Sequence, residues 1–258
     1  MSIYTGTRTR VRRREYSVPL LVGLAVIVVW ESACRAGAID PFFLPAPSHV
    51  VARLAAELRA GHLLGYLART LYAALLGTAL ASAIALPLGY MVAKSRLAAR
   101  VIEPYAAASQ AIPAIALAPL LLIWLPGDFI PIIVLCAIMV FFPVMLGTTL
   151  GLRQIGSEIH DAARLDGAHG WSLLAHIEFP LALPALLTGL RNGFTLSITG
   201  AIVGEWTMGG RGMGMVLPGL VRAADTEGLF AAIALLAASA ISIYGLMTAV
   251  ERYVEVRR

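Results

Sequence analysis

Two groups of residues in this 258-residue chain have side chains able to do chemistry. The first is a polar stretch, Glu158-Ile159-His160-Asp161-Ala162-Ala163-Arg164-Leu165-Asp166-Gly167, then Ala168-His169-Gly170-Trp171-Ser172, then Ile177-Glu178-Phe179-Pro180. The second is Arg191 with Asn192, Thr195 and Thr199, set among apolar residues, with Ser109 and Gln110 in a similar setting. Neither is arranged for bond breaking. His49, His62, His160, His169 and His176 fall outside the apolar runs, and Glu103, Glu205 and Glu251 sit at their ends, so no acid–base cluster lies at depth. Cys34 and Cys136 have no metal-ligand spacing and read as small core residues. Gly209-Gly210-Arg211-Gly212-Met213-Gly214 lacks the preceding strand and the Lys-Ser/Thr of a phosphate-binding loop, so it reads as a tight turn. What remains is recognition chemistry: a polar segment for a protein partner, and a guanidinium with amides and hydroxyls for a solute.

The elements that must position these groups are membrane spans. Apolar residues make up 59% of the chain and charged ones 14%, with a mean hydropathy of +0.81. Soluble domains carry about 45–50% and 25%. This excludes a soluble enzyme, a disulfide scaffold and a disordered regulator. The net charge of +5 is read as basic cytoplasmic loops rather than a nucleic-acid surface. Uncharged runs of 24 residues lie between Arg69 and Lys94, Glu103 and Asp128, and Asp128 and Arg153, and one of 23 lies between Glu227 and Glu251. Each is long enough to cross, since about 20 helical residues rise roughly 30 Å. A run from Tyr16 to Trp30, extended to the interface, and one from Phe179 to Gly204 interrupted by Arg191, complete six helices. The expected spans are 16–37, 67–93, 101–125, 129–151, 181–205 and 228–250, with 70–250 forming one domain.

With both termini cytoplasmic, 13 of the 20 Lys and Arg residues fall inside and six outside, as the positive-inside rule prefers. The basic N-terminus (1–15), the loop 153–180 and the tail 251–258 are then cytoplasmic. Segments 38–66 and 206–227 are extracytoplasmic. Arg12-Arg13-Arg14 before an apolar run could also open a secretory or twin-arginine signal. Five further spans, and no small-x-small site after Trp30, favour a retained first helix.

Three segments break the apolar pattern. In the outer one, Pro41, Pro45 and Pro47 precede Ser48 as N-cap, and Val50, Val51, Leu54 and Leu58 recur at helical spacing, predicting a short interfacial helix. In the cytoplasmic loop, Ser157 is expected to cap a helix whose first turn holds Glu158, and Gly167 to end it in a left-handed conformation. A second short helix is expected to run to Pro180, making an L-shaped pair too polar for lipid. The third segment is the Gly-rich turn. Arg191 lies about ten residues into the fifth helix, roughly 15 Å deep. An Arg at that depth should face the bundle interior or a wet cavity. It is expected either to meet an anionic solute or to pair with Glu103 or with carbonyls freed by Pro180 and Pro184.

Asp161-Ala162-Ala163, three residues, Gly167, nine residues, Ile177, two residues, Pro180 resembles the EAA motif of ABC-importer permeases, with Asp161 for Glu and Phe179 for Leu. Leu44-Pro45-Ala46-Pro47, Gln110-Ala111-Ile112-Pro113, Ala118-Pro119-Leu120, Trp124, Phe142-Pro143, Gly189-Leu190-Arg191, Glu205 and Gly210-x-Gly212-x-Gly214 resemble the sulfonate, taurine and nitrate branch over residues 40 to 250. Trp124-Leu125-Pro126-Gly127-Asp128 departs from the branch's Trp-Phe-Gly-Ile-Gly.

The resemblance implies an all-α integral membrane protein of the type I ABC importer permease fold, in the bacterial inner (plasma) membrane. It implies a homodimer with a second permease copy, on two ATPase subunits that bind ATP and Mg, fed by an extracytoplasmic solute-binding protein. This chain itself would bind no cofactor, metal or nucleic acid, would contact membrane lipid, and would not be an enzyme. Glu158, Asp161, Ala162, Ala163, Arg164, Gly167, Ile177 and Pro180 would form the coupling segment, with Gly167 setting its elbow and Ala162 and Ala163 allowing close approach to the ATPase. Ser109, Gln110, Arg191, Asn192, Thr195 and Thr199 are the pathway candidates. The expected cargo is a small polar or anionic solute, with a vitamin precursor of thiamine-pyrimidine or riboflavin type as the alternative. A secondary transporter is the rival mechanism, and no internal repeat of the kind such proteins carry is evident.

Overall fold

Every regular element of the computed structural model is a helix, because a chain this apolar must satisfy its backbone groups within each segment. The structure describes residues 8–256, and side chains over 21–253. Residues 1–7 of the expected basic N-terminus, and Arg257 and Arg258 of the expected tail, lie outside the described residues. The elements are α1 (Arg8–Arg35), α2 (Pro47–Ala60), α3 (His62–Lys94), α4 (Arg96–Ser109), α5 (Ala114–Trp124), α6 (Ile130–Arg153), α7 (Ser157–Leu165), α8 (Gly170–Leu173), a π turn (Leu174–Glu178), α9 (Phe179–Met208), α10 (Met213–Arg222) and α11 (Thr226–Val256).

Among the described residues, four helical segments have the length and hydropathy to cross a membrane: His62–Lys94, Ile130–Arg153, Gly170–Met208 and Thr226–Tyr253. The segment expected as the third span is not one rod. It divides into α4 and α5, which meet at 98°. Pro113 is the cause: it disfavours helical backbone at Ile112 and brings no amide hydrogen of its own to continue the ladder. At 11 residues α5 is only about 16 Å long, too short to cross alone.

Other boundaries moved for local reasons. Ala46, not Ser48, precedes α2, with Pro47 in the first helical turn, and Ser48 instead donates to Glu31 through its backbone N–H at 3.0 Å and its hydroxyl at 2.8 Å. Gly156, not Ser157, precedes α7. The polar segment expected over 153–180 does not end at Pro180, because α8, the π turn and α9 run on as one 39-residue helical segment. The wider π turn sits where an α-helical turn would press the Pro180 ring against the carbonyl four residues earlier. The Gly-rich outer segment contains α10.

The core is the three-helix packing of α3, α6 and α9, and small residues set its spacing. A Cβ placed on Gly147 would lie 2.9 Å from the Ala185 carbonyl oxygen and 2.9 Å from the Gly189 Cα, so α6 and α9 touch backbone to backbone. Cys136, fully buried, fills the gap opposite Gly77 of α3 and Gly200 of α9. Buried hydroxyls bond across the same seam: Ser197 donates to the Ala74 carbonyl at 2.8 Å, and Thr149 to that of Gly89 at 3.2 Å. Helices in lipid gain little by burying apolar surface against each other, so close packing and such bonds hold them. At the outer face, α2 is tied to the start of α11 by Arg53–Asp225 at 2.9 Å.

Gly147→Ala should therefore lower the midpoint of thermal unfolding in detergent, at a cost of about 1–3 kcal/mol for overpacking. Gly65→Ala, where a Cβ would meet nothing within 4 Å, should leave that midpoint unchanged or raise it.

Candidate functional site

The polar segment folds as a short helix, an elbow and a return. Glu158 lies in the first turn of α7 and favours its positive end. After Leu165 the chain reverses at Gly167, whose φ of 85° is left-handed. The amide of Ala168 donates to the Ala163 carbonyl at 2.9 Å and that of Gly167 to Arg164 at 3.0 Å, closing the helix end. Glu158, Asp161, Ala162 and Arg164 are exposed, whereas Ala163 is buried, so only one alanine of the pair is open to a partner. Ile177 and Pro180 are half-buried where the segment enters the bundle. Two residues outside the expected set stand out here: Leu165 is 89% exposed and Trp171 78% exposed, on either side of the elbow. Their only signal in the sequence was apolar character within a polar stretch.

Arg191 is half-buried where α9 meets α11. Its Nη1 donates to Glu251 Oε2 at 2.7 Å and to Thr248 Oγ1 at 3.1 Å, and the guanidinium lies 4.7 Å from the centroid of the Tyr244 ring. Thr188 donates to the other carboxylate oxygen of Glu251. The expected partner, Glu103, is elsewhere: it pairs with Arg153 at 2.8 Å across half-exposed surface. Glu251 stands just past the last uncharged run, and helical continuation of α11 to Val256 carries its carboxylate to the level of Arg191. The guanidinium is thus neutralised within the chain.

Beside this pair, Gln110, Phe142, Pro143, Leu146, Leu150, Gln154, Thr188 and Asn192 line a cavity of about 450 Å³ between α6, α9 and the end of α4. Two expected pathway residues, Gln110 and Asn192, meet there, and Gln154 and Thr188 join them although sequence reasoning missed both. No charged residue lines it. Asn192, Thr195 and Thr199 share an exposed stripe of α9, Thr195 returning its hydroxyl to the Arg191 carbonyl at 3.1 Å. Ser109 is outside the cavity and bonds the Ala106 carbonyl at 2.7 Å.

At the C-terminal end of α9, Glu205 is 2% exposed, a residue that the sequence marked as a span end and as a landmark of the resemblance beside the glycines. Its Oε2 accepts from Thr70 Oγ1 and from the Gly214 amide, both at 2.9 Å, and Thr70 Oγ1 accepts from the Met213 amide at 2.9 Å. A Cβ on Gly212 would come within 1.9 Å of the same carboxylate. The glycines therefore fold around Glu205, which explains their density. Among the described residues no three His, Cys, Asp or Glu side chains are grouped so as to hold a metal ion.

Residues 85–256 match the family described as binding-protein-dependent transport system inner membrane component. The riboflavin transport system permease protein RibX of Chloroflexus aurantiacus is 37% identical over 229 residues, covering 89% of this chain and 85% of that protein. The formylaminopyrimidine transport permease protein ThiX of Halalkalibacterium halodurans is 30% identical over 226 residues, covering 87% and 90%. A putative aliphatic sulfonates transport permease protein, SsuC of Bacillus subtilis, is 26% identical over 84% of this chain and 79% of its own length. A crystal structure of an amino acid ABC transporter with histidines superposes with a TM-score of 0.61 at 16% identity, over 80% of this chain and 98% of that one.

Arg191→Leu strands the Glu251 carboxylate, and it should reduce accumulation in the membrane and detergent stability, by about 3–5 kcal/mol on soluble-protein experience. Adding Glu251→Gln should restore accumulation, whereas adding Glu103→Gln should not.

Proposed function

Because the chain belongs to the family of binding-protein-dependent transport system inner membrane components, and is the membrane permease of an ABC importer, we propose that it carries a neutral, hydrogen-bonding heteroaromatic solute of the vitamin or vitamin-precursor class. The observation that carries this reading is the Arg191–Glu251 pair. The resemblance to the sulfonate branch implied a polar or anionic cargo, and Arg191 was the candidate in the spans to meet an anion. With Arg191 neutralised, the neighbouring cavity offers amides, a hydroxyl and the Phe142 ring, which suit a planar solute with hydrogen-bonding edges. The permeases named for riboflavin and formylaminopyrimidine, both at least 30% identical, support the same class.

The working assembly in this reading is two copies of the chain, two ATPase subunits that bind ATP and Mg, and an extracytoplasmic binding protein. Both termini are cytoplasmic, as the Lys and Arg distribution favours. The coupling segment seats Glu158, Asp161, Ala162 and Arg164 in a groove of the ATPase, with Leu165 and Trp171 giving it apolar anchors. Gly167 holds the elbow, and Ile177 and Pro180 join it to the 39-residue helical segment. Closure of the ATPase dimer swings that segment as a rigid body and alternates access to the cavity. Gln110 and Asn192 meet the solute, Thr195 and Thr199 continue the path along α9, and Ser109 acts only through the backbone of α4.

Calorimetry on the cognate binding protein with riboflavin, a formylaminopyrimidine, taurine and nitrate tests the cargo. Binding of either heteroaromatic compound alone is expected, and binding of only taurine or nitrate overturns the class. In reconstituted vesicles Asn192→Leu should cut uptake of the bound compound by up to about tenfold, the worth of one lost hydrogen bond. Uptake that persists without ATP and without the ATPase would instead establish a secondary transporter.

Topology has its own test. A cysteine at Ala162 should react with an impermeant maleimide only from the cytoplasmic side and crosslink to the ATPase. Cys34 and Cys136 are buried, which keeps background labelling low.

A further inference from the structure

Three ionisable side chains from three elements meet at the root of the coupling segment. Glu178, the last residue of the π turn, is 1% exposed. Its Oε1 accepts from Lys94 Nζ at 2.5 Å and lies 3.2 Å from His160 Nε2. Lys94 Nζ is also 3.3 Å from His160 Nε2. Lys94 ends α3 and is the one lysine among the 20 basic residues, while His160 stands in the middle of α7.

The proton inventory decides who donates to whom. His160 Nδ1 lies 3.2 Å from the Gly156 carbonyl oxygen, which can only accept, so Nδ1 carries the hydrogen. Nε2 also lies 3.2 Å from Glu178 Oε1, to which an imidazolium would donate; in the neutral ring it accepts instead from the Lys94 ammonium, whose three donors serve both His160 and Glu178. This assignment avoids two like charges 3.3 Å apart. Among the described residues Glu178 Oε2 is buried without a geometric hydrogen bond, so the burial of the carboxylate is offset through Oε1, with the Tyr90 side chain of α3 also beside it.

The mechanical setting gives the arrangement its meaning. Within α7 Ala163 is buried and His160 half-buried, and the other residues are exposed. The Lys94 ammonium is the polar tie from α7 to α3 and, through Glu178, to the start of α9. We propose that Lys94 and His160 are positioning residues for energy coupling: the His160–Lys94–Glu178 tie makes α7, α3 and α9 move together when an ATPase displaces α7. This rests on the reading of α7 as the ATPase contact given above.

The test uses the full transporter, reconstituted with its ATPase and carrying a cysteine at Thr199 on the exposed stripe of α9. Impermeant maleimide labelling at that site is compared between the nucleotide-free state and the state trapped with ATP and vanadate. His160→Leu removes the acceptor on α7 and leaves the Lys94 ammonium on the buried Glu178 carboxylate, so the variant should assemble. Its ATPase should still trap nucleotide, but the nucleotide-dependent change in labelling rate should shrink by about tenfold. His160→Gln, whose amide oxygen can accept from Lys94, should restore the change to within about twofold of the parent. A His160→Leu variant that responds like the parent overturns the proposal, as does one in which nucleotide trapping falls in step with labelling. A parental complex that captures no ATPase overturns the assignment of α7 itself, and the tie with it.

Discussion

The contact on which the rest of this molecule depends is the one between the backbones of α6 and α9 at Gly147 and Gly189. In lipid, two helices do not gain by hiding leucines from water, so their association rests on how closely they approach and on what they bond across the gap. Glycine at both positions removes the side chains that would hold the rods apart. Farther along the seam, Gly151 faces Ala182 and Gly193 faces Val140, so the close approach is sustained over several turns. With Cys136 set between Gly77 and Gly200, α3 joins the same unit.

That seam turns α9 into a lever with both ends engaged. Its N-terminal end continues through the π turn and α8 toward the elbow at Gly167. Its C-terminal end carries Glu205, buried and bonded to Thr70 of α3 and to the glycine turn before α10. Between them, Arg191 binds Glu251 and so fastens α11 to the same rod. The elements along this path are close-packed, and close-packed helices shift between discrete arrangements rather than deform. The Pro113 break works the other way. By separating α4 from α5 it lets the end of α4 place Gln110 beside Asn192, which a straight third span would not do.

Charge placement follows the same logic of paired burial. Arg191, half-buried, and Lys94, at the end of α3, each have a carboxylate within 2.7 Å. Removing either partner exposes the other to a cost that a membrane interior cannot relieve with water. Pairing leaves the cavity wall to amides and hydroxyls, which discriminate by hydrogen-bond geometry rather than by net charge.

The amino-acid sequence by itself determined the features that depend on nearest neighbours. Uncharged runs of the right length marked α3, α6 and α11, since hydropathy and rise per residue are local quantities. Gly167 announced the elbow because only a left-handed turn there ends α7, and Pro47 with the spacing of Val50 and Leu54 announced α2. Only the tertiary structure decided which distant groups would meet. Glu251 rather than Glu103 became the partner of Arg191, 60 residues away, because the seam sets how α9 and α11 superpose. Lys94 and Glu178, 84 residues apart, met for the same kind of reason, and Glu205 drew the glycine turn inward. The third span looked continuous because its composition is, and a single proline ring outweighed that composition. A sequence records what each residue prefers, whereas a buried charge takes whichever partner the packed helices bring within reach.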